Sequence, residues 1–285
     1  MNYKVTAAVV TFNRLDLLKK VVDALHEQSH KIENIMIINN SSTDGTEEWL
    51  SMQKDLFVIK QENLGSSGGQ YRAFNEAAAS DCDLVWIMDD DVVPEKDCLK
   101  KLIEHYQPGH VMFPLRLYRD KTPYLNDCIE LNLSNPFKHI WKRVIAGSDL
   151  ANETIELQGP TFEGPLFAKE LKEKVGLPEK KFFIFADDTE YFIRAQRAGF
   201  KMLLVRDANL VRMIDPPDNL SAFTWKSFYS IRNLVVIDKL YGNFFVKLLR
   251  PIAYSFLFLK HSRSFGDIKT TFKAVWAGLT YQSDN

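Results

Sequence analysis

The stretch Leu84-Val85-Trp86-Ile87-Met88-Asp89-Asp90-Asp91-Val92-Val93-Pro94 constrains this chain more than any other. Its large apolar residues read as a buried strand, and that strand runs directly into three adjacent carboxylates. Like charges at the end of a buried strand repel one another. The run makes sense where a cation, or a metal carrying a nucleotide diphosphate, offsets the charge. The competing reading is an acidic surface turn that caps the next helix, a common use of Asp.

The residues before this stretch alternate in a regular way. Residues 5–10 are apolar and close with Thr11-Phe12-Asn13-Arg14, after which Leu18, Val21, Val22 and Leu25 recur at helical spacing. Asn13 is the expected N-cap of that helix. A second strand at 35–38 ends in turn formers from Asn39 to Thr46, and residues 47–52 begin another helix. A third strand at 57–59 leads to Asn63-Leu64-Gly65-Ser66-Ser67-Gly68-Gly69 and a helix holding Arg72, Phe74 and Ala77. Strand and helix in alternation predict an α/β fold with a mostly parallel, doubly wound sheet flanked by helices, which binds ligands beyond the carboxyl ends of its strands. The glycine segment can cradle a phosphate on backbone amides or serve only as a flexible turn. Arg72, one turn on, either faces the same phosphate or lies on the solvated surface.

With 285 residues, 46% of them hydrophobic, the chain is long enough for one large domain with an appendage. A formal charge of −1 gives no basic field for nucleic acid. Cys82, Cys98 and Cys128 lack ligand spacing and leave an odd count, which favours reduced thiols in a cytoplasmic setting over a zinc site or a disulfide framework. The amino end passes straight into an apolar strand without the pattern of a signal peptide, and no apolar run reaches a membrane span. The expectation is a soluble protein, or one peripheral on the inner face of the cell membrane.

Beyond residue 111 the alternation weakens. Residues 111–117 predict a strand, 118–152 a long excursion over the sheet, 182–185 an aromatic strand and 202–205 the last strand of the core. Between the last two lies a second acidic cluster, Ala186-Asp187-Asp188-Thr189-Glu190, at a helix start. Glycosyl transfer needs two kinds of carboxylate: one set to hold a metal that neutralises a departing nucleoside diphosphate, and one group to take the proton of the attacking hydroxyl. Asp89 and Asp91 can offer oxygens to a divalent cation, Mn2+ or Mg2+. Asp188 feels a helix dipole that favours its ionised form and a burial that raises its pKa, two opposed effects that sequence does not rank. The cluster reads equally as an N-cap with acids in the first turn.

Four pieces in order, Thr11 to Arg14, Asn63 to Gly69, Trp86 to Pro94 and Phe185 to Glu190, resemble the inverting family 2 glycosyltransferases of the GT-A fold, and among them the bacterial galactofuranosyltransferases most. The resemblance implies a UDP-sugar donor, a metal on Asp89 and Asp91, and Asp188 as base. It implies Asp187, Glu190 and Gly164 on the acceptor side. Thr11, Asn13, Arg14, Asn40, Asn63, Gly65, Arg72, Asp89 and Asp90 would line the donor.

Two positions depart from that pattern. The acid expected after the second strand is Asn39-Asn40, whose amides can still bind a uracil edge. The histidine expected as third metal ligand falls on Arg212, which cannot bind a metal and can instead neutralise the diphosphate.

Residues 1–215 are therefore read as the nucleotide-sugar-binding and catalytic domain and 216–285 as a helical extension. In the extension, Tyr229, Arg232 and Asn233 fit a Tyr-x-x-Arg-Asn helix, and residues 244–260 with Arg263, Lys269 and Lys273 form a basic amphipathic stretch. That stretch lies either in a membrane interface or in a helix pair packed on the core or on a second subunit of a homo-oligomer. The expected activity is transfer of galactofuranose from UDP-galactofuranose to a surface polysaccharide or lipid-linked glycan. A rhamnosyl- or other hexosyltransferase, a nucleotidyltransferase and a non-catalytic nucleotide-sugar-binding module are the rivals.

Overall fold

The computed structural model describes residues 3–215 and 223–283. Met1, Asn2, residues 284–285 and the first residues of the extension, 216–222, lie outside the described residues. In chain order the elements are β1 Val5–Thr11, α1 Leu15–His26, β2 Asn34–Asn39, α2 Thr46–Ser51, β3 Leu56–Lys60, α3 Gly65–Ala79, β4 Leu84–Asp89 and β5 Val92–Pro94. There follow α4 Cys98–His105, β6 His110–Leu117, β7 Cys128–Leu131, β8 Trp141–Val144, β9 Thr154–Leu157, β10 Leu166–Ala168, α5 Glu170–Val175, α6 Asp187–Arg197 and β11 Lys201–Arg212. Three helices close the chain, α7 Ser227–Tyr241, α8 Phe244–His261 and α9 Phe265–Leu279.

The central sheet runs β3-β2-β1-β4-β10-β6-β11-β5, with β9 on the free side of the first half of β11. β1, β2, β3, β4, β6 and β11 share one direction, and the short β5, β9 and β10 run against them. The sheet is thus mostly parallel, as the alternation predicts. The antiparallel strands are three or four residues long, too short to carry a periodic signal.

The pleat divides each central strand between two cores. Along β4, Val85 and Ile87 pack with Phe74, Tyr191 and Phe192, while Leu84, Trp86 and Met88 pack with Leu18, Val21 and Leu99. Small residues bring α3 close to β1. A Cβ on Gly69 would lie 2.3 Å from Val10 Cγ1 and 2.9 Å from the Asn40 amide nitrogen.

Several local expectations are corrected. Asn13 is not the helix cap: it has a φ of 53°, and the α1 amide of Leu15 donates instead to Asp44 Oδ2 at 2.9 Å, from the turn after β2. Gly65, Gly68 and Gly69 belong to the first turns of α3 rather than to a loop before it. The excursion at 118–152 contains the β7–β8 hairpin. Residues 182–185 form no strand, because their carbonyls are taken by a side chain and by an α3 amide, as described below. The three cysteines are free and buried.

Substituting Gly69 with Ala forces the helix off β1 or Val10 out of place. We expect a loss of about 1–3 kcal/mol in denaturant unfolding, despite the better helix propensity of Ala.

Candidate active site

The pleat that splits the core also splits the acid run. Asp89 continues the row of Val85 and Ile87 and meets α3, where Gln70 Nε2 donates to its Oδ1 at 2.8 Å. Asp90 turns to the end of β1. There Thr11 Oγ1 donates to its Oδ2 at 2.8 Å, the Phe12 amide to the same oxygen at 3.2 Å, and Arg14 Nη1 to its Oδ1 at 2.9 Å. Arg14 Nη1 also lies 2.9 Å from Asp91 Oδ2. Burial raises the pKa of all three carboxyls, most at Asp89, where the charges of Asp91 and Glu163 add to it. Arg14 opposes the rise at each.

The strand register brings a second arginine to the run. β11 pairs with β5 so that Arg212 lies opposite Val92, and the Met213 amide donates to the Asp91 carbonyl at 2.8 Å. Arg212 Nε is 3.2 Å from Glu163 Oε2, and its guanidinium sits 4.3 Å from the centre of the Tyr124 ring. Arg212 Nη1 is buried and has no hydrogen-bond partner. Glu163 also accepts from Arg116 Nη1 at 3.0 Å, and Arg116 Nη2 is 2.8 Å from Asp127. Although burial works against the Arg116 charge, Asp127 and Glu163 raise its pKa, and its field favours the ionised form of Asp188. Arg116 thus acts on Asp188, and its partner Glu163 acts on Asp89 and Asp91.

Asp187 and Asp188 open α6 at the end of a constrained loop. Phe183, Phe185 and Ala186 all have positive φ, a sparsely populated region for residues with a Cβ. The loop persists because its carbonyls are held. Asn233 Nδ2, from α7, donates to Phe182 O, Ile184 O and Phe185 O at 3.1, 2.9 and 2.7 Å. Arg232 donates to Lys181 O and Phe182 O, and the Ser67 amide to Phe183 O at 3.1 Å. Gly65 is required beneath, since a Cβ there would lie 2.1 Å from Phe183 O.

Asp187 is buried, its Oδ2 without a partner, and burial lifts its pKa to about 6. Asp188 is half-buried and accepts from the Thr189 amide through Oδ1 at 2.6 Å. Burial, and then the charge of Asp187, push its pKa to about 7. Of the two opposed effects on Asp188, burial prevails over helix-terminal stabilisation.

Other residues expected in the site have different company. Glu190 is 2% exposed, and its carboxylate accepts from Arg194 and from the Tyr241 hydroxyl. Asn40 donates to Gly65 O and accepts from Gln61, so both ends of its amide are occupied. Asn13 Oδ1 accepts from the Thr43 amide, and Asn63 Oδ1 from the Gly65 amide. Arg72 lies on the outer face, paired with Glu76 at 3.0 Å. Gly164 is packed against Pro114, and its carbonyl accepts from the Trp86 indole at 3.0 Å. Gln70, Arg116, Tyr124, Asp127 and Glu163 were not singled out from sequence. The one available signal was Arg116, a base inside an apolar strand.

Asp89 accepts from Gln70 and Asp91 from Arg14 through one carboxylate oxygen each, so the pair keeps its second oxygens for a divalent cation, and Arg212 stands at the position where the resemblance implies a third ligand. Among the described residues no group of three or more His, Cys, Asp or Glu could hold a metal. Arg212, with an unpartnered buried nitrogen, also offers a donor to an anionic group.

A family model described as glycosyl transferase family 2 matches residues 6–145. The galactofuranosyltransferase GlfT1 of Mycolicibacterium smegmatis is 26% identical over 207 residues, covering 68% of this chain and 66% of that protein, so the chain spans just under two thirds of this relative. Among solved structures, GalNAc-T7 with UDP, GalNAc and Mn2+ superposes with a TM-score of 0.68 at 12% identity, over 95% of this chain and 54% of that one. The mannosyltransferase PcManGT of Pyrobaculum calidifontis, with GDP-Man and Mn2+, gives a TM-score of 0.56 at 19% identity, over 99% and 77%. These neighbours establish the GT-A fold.

Asn233→Ala removes the donor shared by three loop carbonyls. We expect a destabilisation of about 2 kcal/mol by denaturant unfolding, and a turnover number that falls more than KM rises.

Proposed function

Because the chain carries a glycosyl transferase family 2 domain over residues 6–145, and is by that domain a transferase, we propose that it moves galactofuranose from UDP-galactofuranose onto a hydroxyl of a surface polysaccharide or lipid-linked glycan. The observation that carries this reading is Asp188. It is a half-buried carboxyl with a pKa of about 7, on a loop held from two sides, and within the field of Arg116. Such a group is suited to general-base catalysis near neutral pH. The name of the relative supports the sugar, and the acceptor class is part of the proposal itself.

In this mechanism Asp188 takes the acceptor proton while the acceptor oxygen attacks the anomeric carbon. The bond to the diphosphate breaks on the opposite face, so one displacement inverts the configuration. Arg14 and Arg212 offset the charge on the leaving diphosphate, and Asp187 keeps Asp188 basic by its proximity. Thr11 and Gln70 hold Asp90 and Asp89 so that the donor end of the cleft stays ordered.

Asp188→Asn should reduce transfer by roughly 10³-fold or more while UDP binding stays within a few-fold. Normal turnover in that variant would remove the base assignment. Only ionised Asp188 accepts a proton, so kcat/KM should rise with pH up to about 7 and level off above it. A profile flat from pH 5 to 8 contradicts the mechanism. A panel of nucleotide sugars reads the donor.

Calorimetry of UDP binding tests the role of arginine. We expect similar affinity with manganese or with chelator, and a loss of about tenfold, near 1.4 kcal/mol, in Arg212→Ala. Tenfold tightening by manganese in the intact protein would return the task to Asp89 and Asp91.

A further inference from the structure

We propose that the outer faces of α8 and α9 form a docking surface for an anionic lipid bilayer, on which the protein lies without crossing it. On α8, Phe244, Leu248, Ile252 and Phe256 recur every four residues and are 51–72% exposed. On α9, Phe265, Ile268, Phe272 and Trp276 repeat at three and four and are 37–82% exposed. At helical spacing each set is one stripe. The opposite faces, with Val246, Arg250 and Tyr254 on α8 and Thr271, Ala274 and Gly278 on α9, are buried. Exposed aromatic and aliphatic rows of this extent mark an interaction surface.

Charge selects the occupant. Lys247, Lys260, Arg263, Lys269 and Lys273 stand exposed on or between the two helices. α8 has no acid, and α9 has one, Asp267, which caps its own helix by accepting from the Ser264 amide at 3.1 Å. A second copy docking this face upon itself would set cations against cations, since a two-fold interface matches a patch with its own image. A bilayer rich in anionic headgroups offers an apolar interior for the rings and negative charge for the lysines. Among the described residues no helix is long and apolar enough to cross a membrane, which fits a protein lying on the surface.

This inference does not depend on the sugar or on the transfer chemistry, and its test is separate from both. The full chain is sedimented with vesicles of phosphatidylcholine, with and without phosphatidylglycerol. We expect about tenfold or greater preference for the anionic vesicles at low salt, weakening as salt is added. Phe256→Ser with Trp276→Ser should abolish sedimentation, and Lys269→Glu with Lys260→Glu should remove the anionic preference, while UDP binding and the unfolding midpoint stay near those of the intact protein. If neither vesicle is bound, the proposal fails. It fails equally if analytical ultracentrifugation shows a dimer that Phe256→Ser with Trp276→Ser dissociates, because a second copy then covers the face.

Discussion

Three carboxylates at the end of one buried strand would repel one another apart unless each found a separate partner. β4 solves this by alternation: Asp89 falls on the α3 side and Asp90 on the α1 side, and a single guanidinium, Arg14, spans Asp90 and Asp91. The partners come from the carboxyl end of β1 and from the helix next to it. The parallel order β2-β1-β4 is what brings those groups together. Removing a charge partner here would leave an uncompensated buried carboxylate, which is far costlier than losing a surface pair.

The second acidic cluster is placed by a different device. Its loop contains three residues in left-handed conformations, and no hydrogen-bonded strand supports it. Asn233 supplies one amide to three carbonyls, and Gly65 leaves room for Phe183 below. The helical extension is therefore part of the site's support. The buried Arg250–Asp238 pair, at 2.8 Å, with Arg250 also donating to Asn132 O and Asn135 O, ties the same helices to the β7–β8 hairpin.

Between the clusters runs a chain of alternating charge: Asp127, Arg116, Glu163, Arg212. Its end nearest Asp91 is positive. In a buried setting each member depends on its neighbours, so the position of Arg212 is fixed by residues from β6, from the segment before β10 and from β5. That placement sets a guanidinium with one unpartnered nitrogen beside the acid run.

The sequence by itself determined the α/β class, the order of the first four strands and the two acidic clusters, because these rest on local apolar runs and on adjacent residues. It also placed Arg212 where a metal ligand was expected. It did not reveal the role of Gln70, Arg116 or Glu163, which lie far apart in the chain and meet only across the sheet. Nor did it show that Glu190 and Asn40 have internal partners, since an unpaired and a paired polar residue look alike in sequence. The aromatic run at 182–185 has the composition of a strand and became a clamped loop, because its carbonyls were captured by a side chain about fifty residues away. Periodicity records which face of an element is apolar. Only tertiary structure decides which polar group answers another, because that depends on distances between elements that no local pattern encodes.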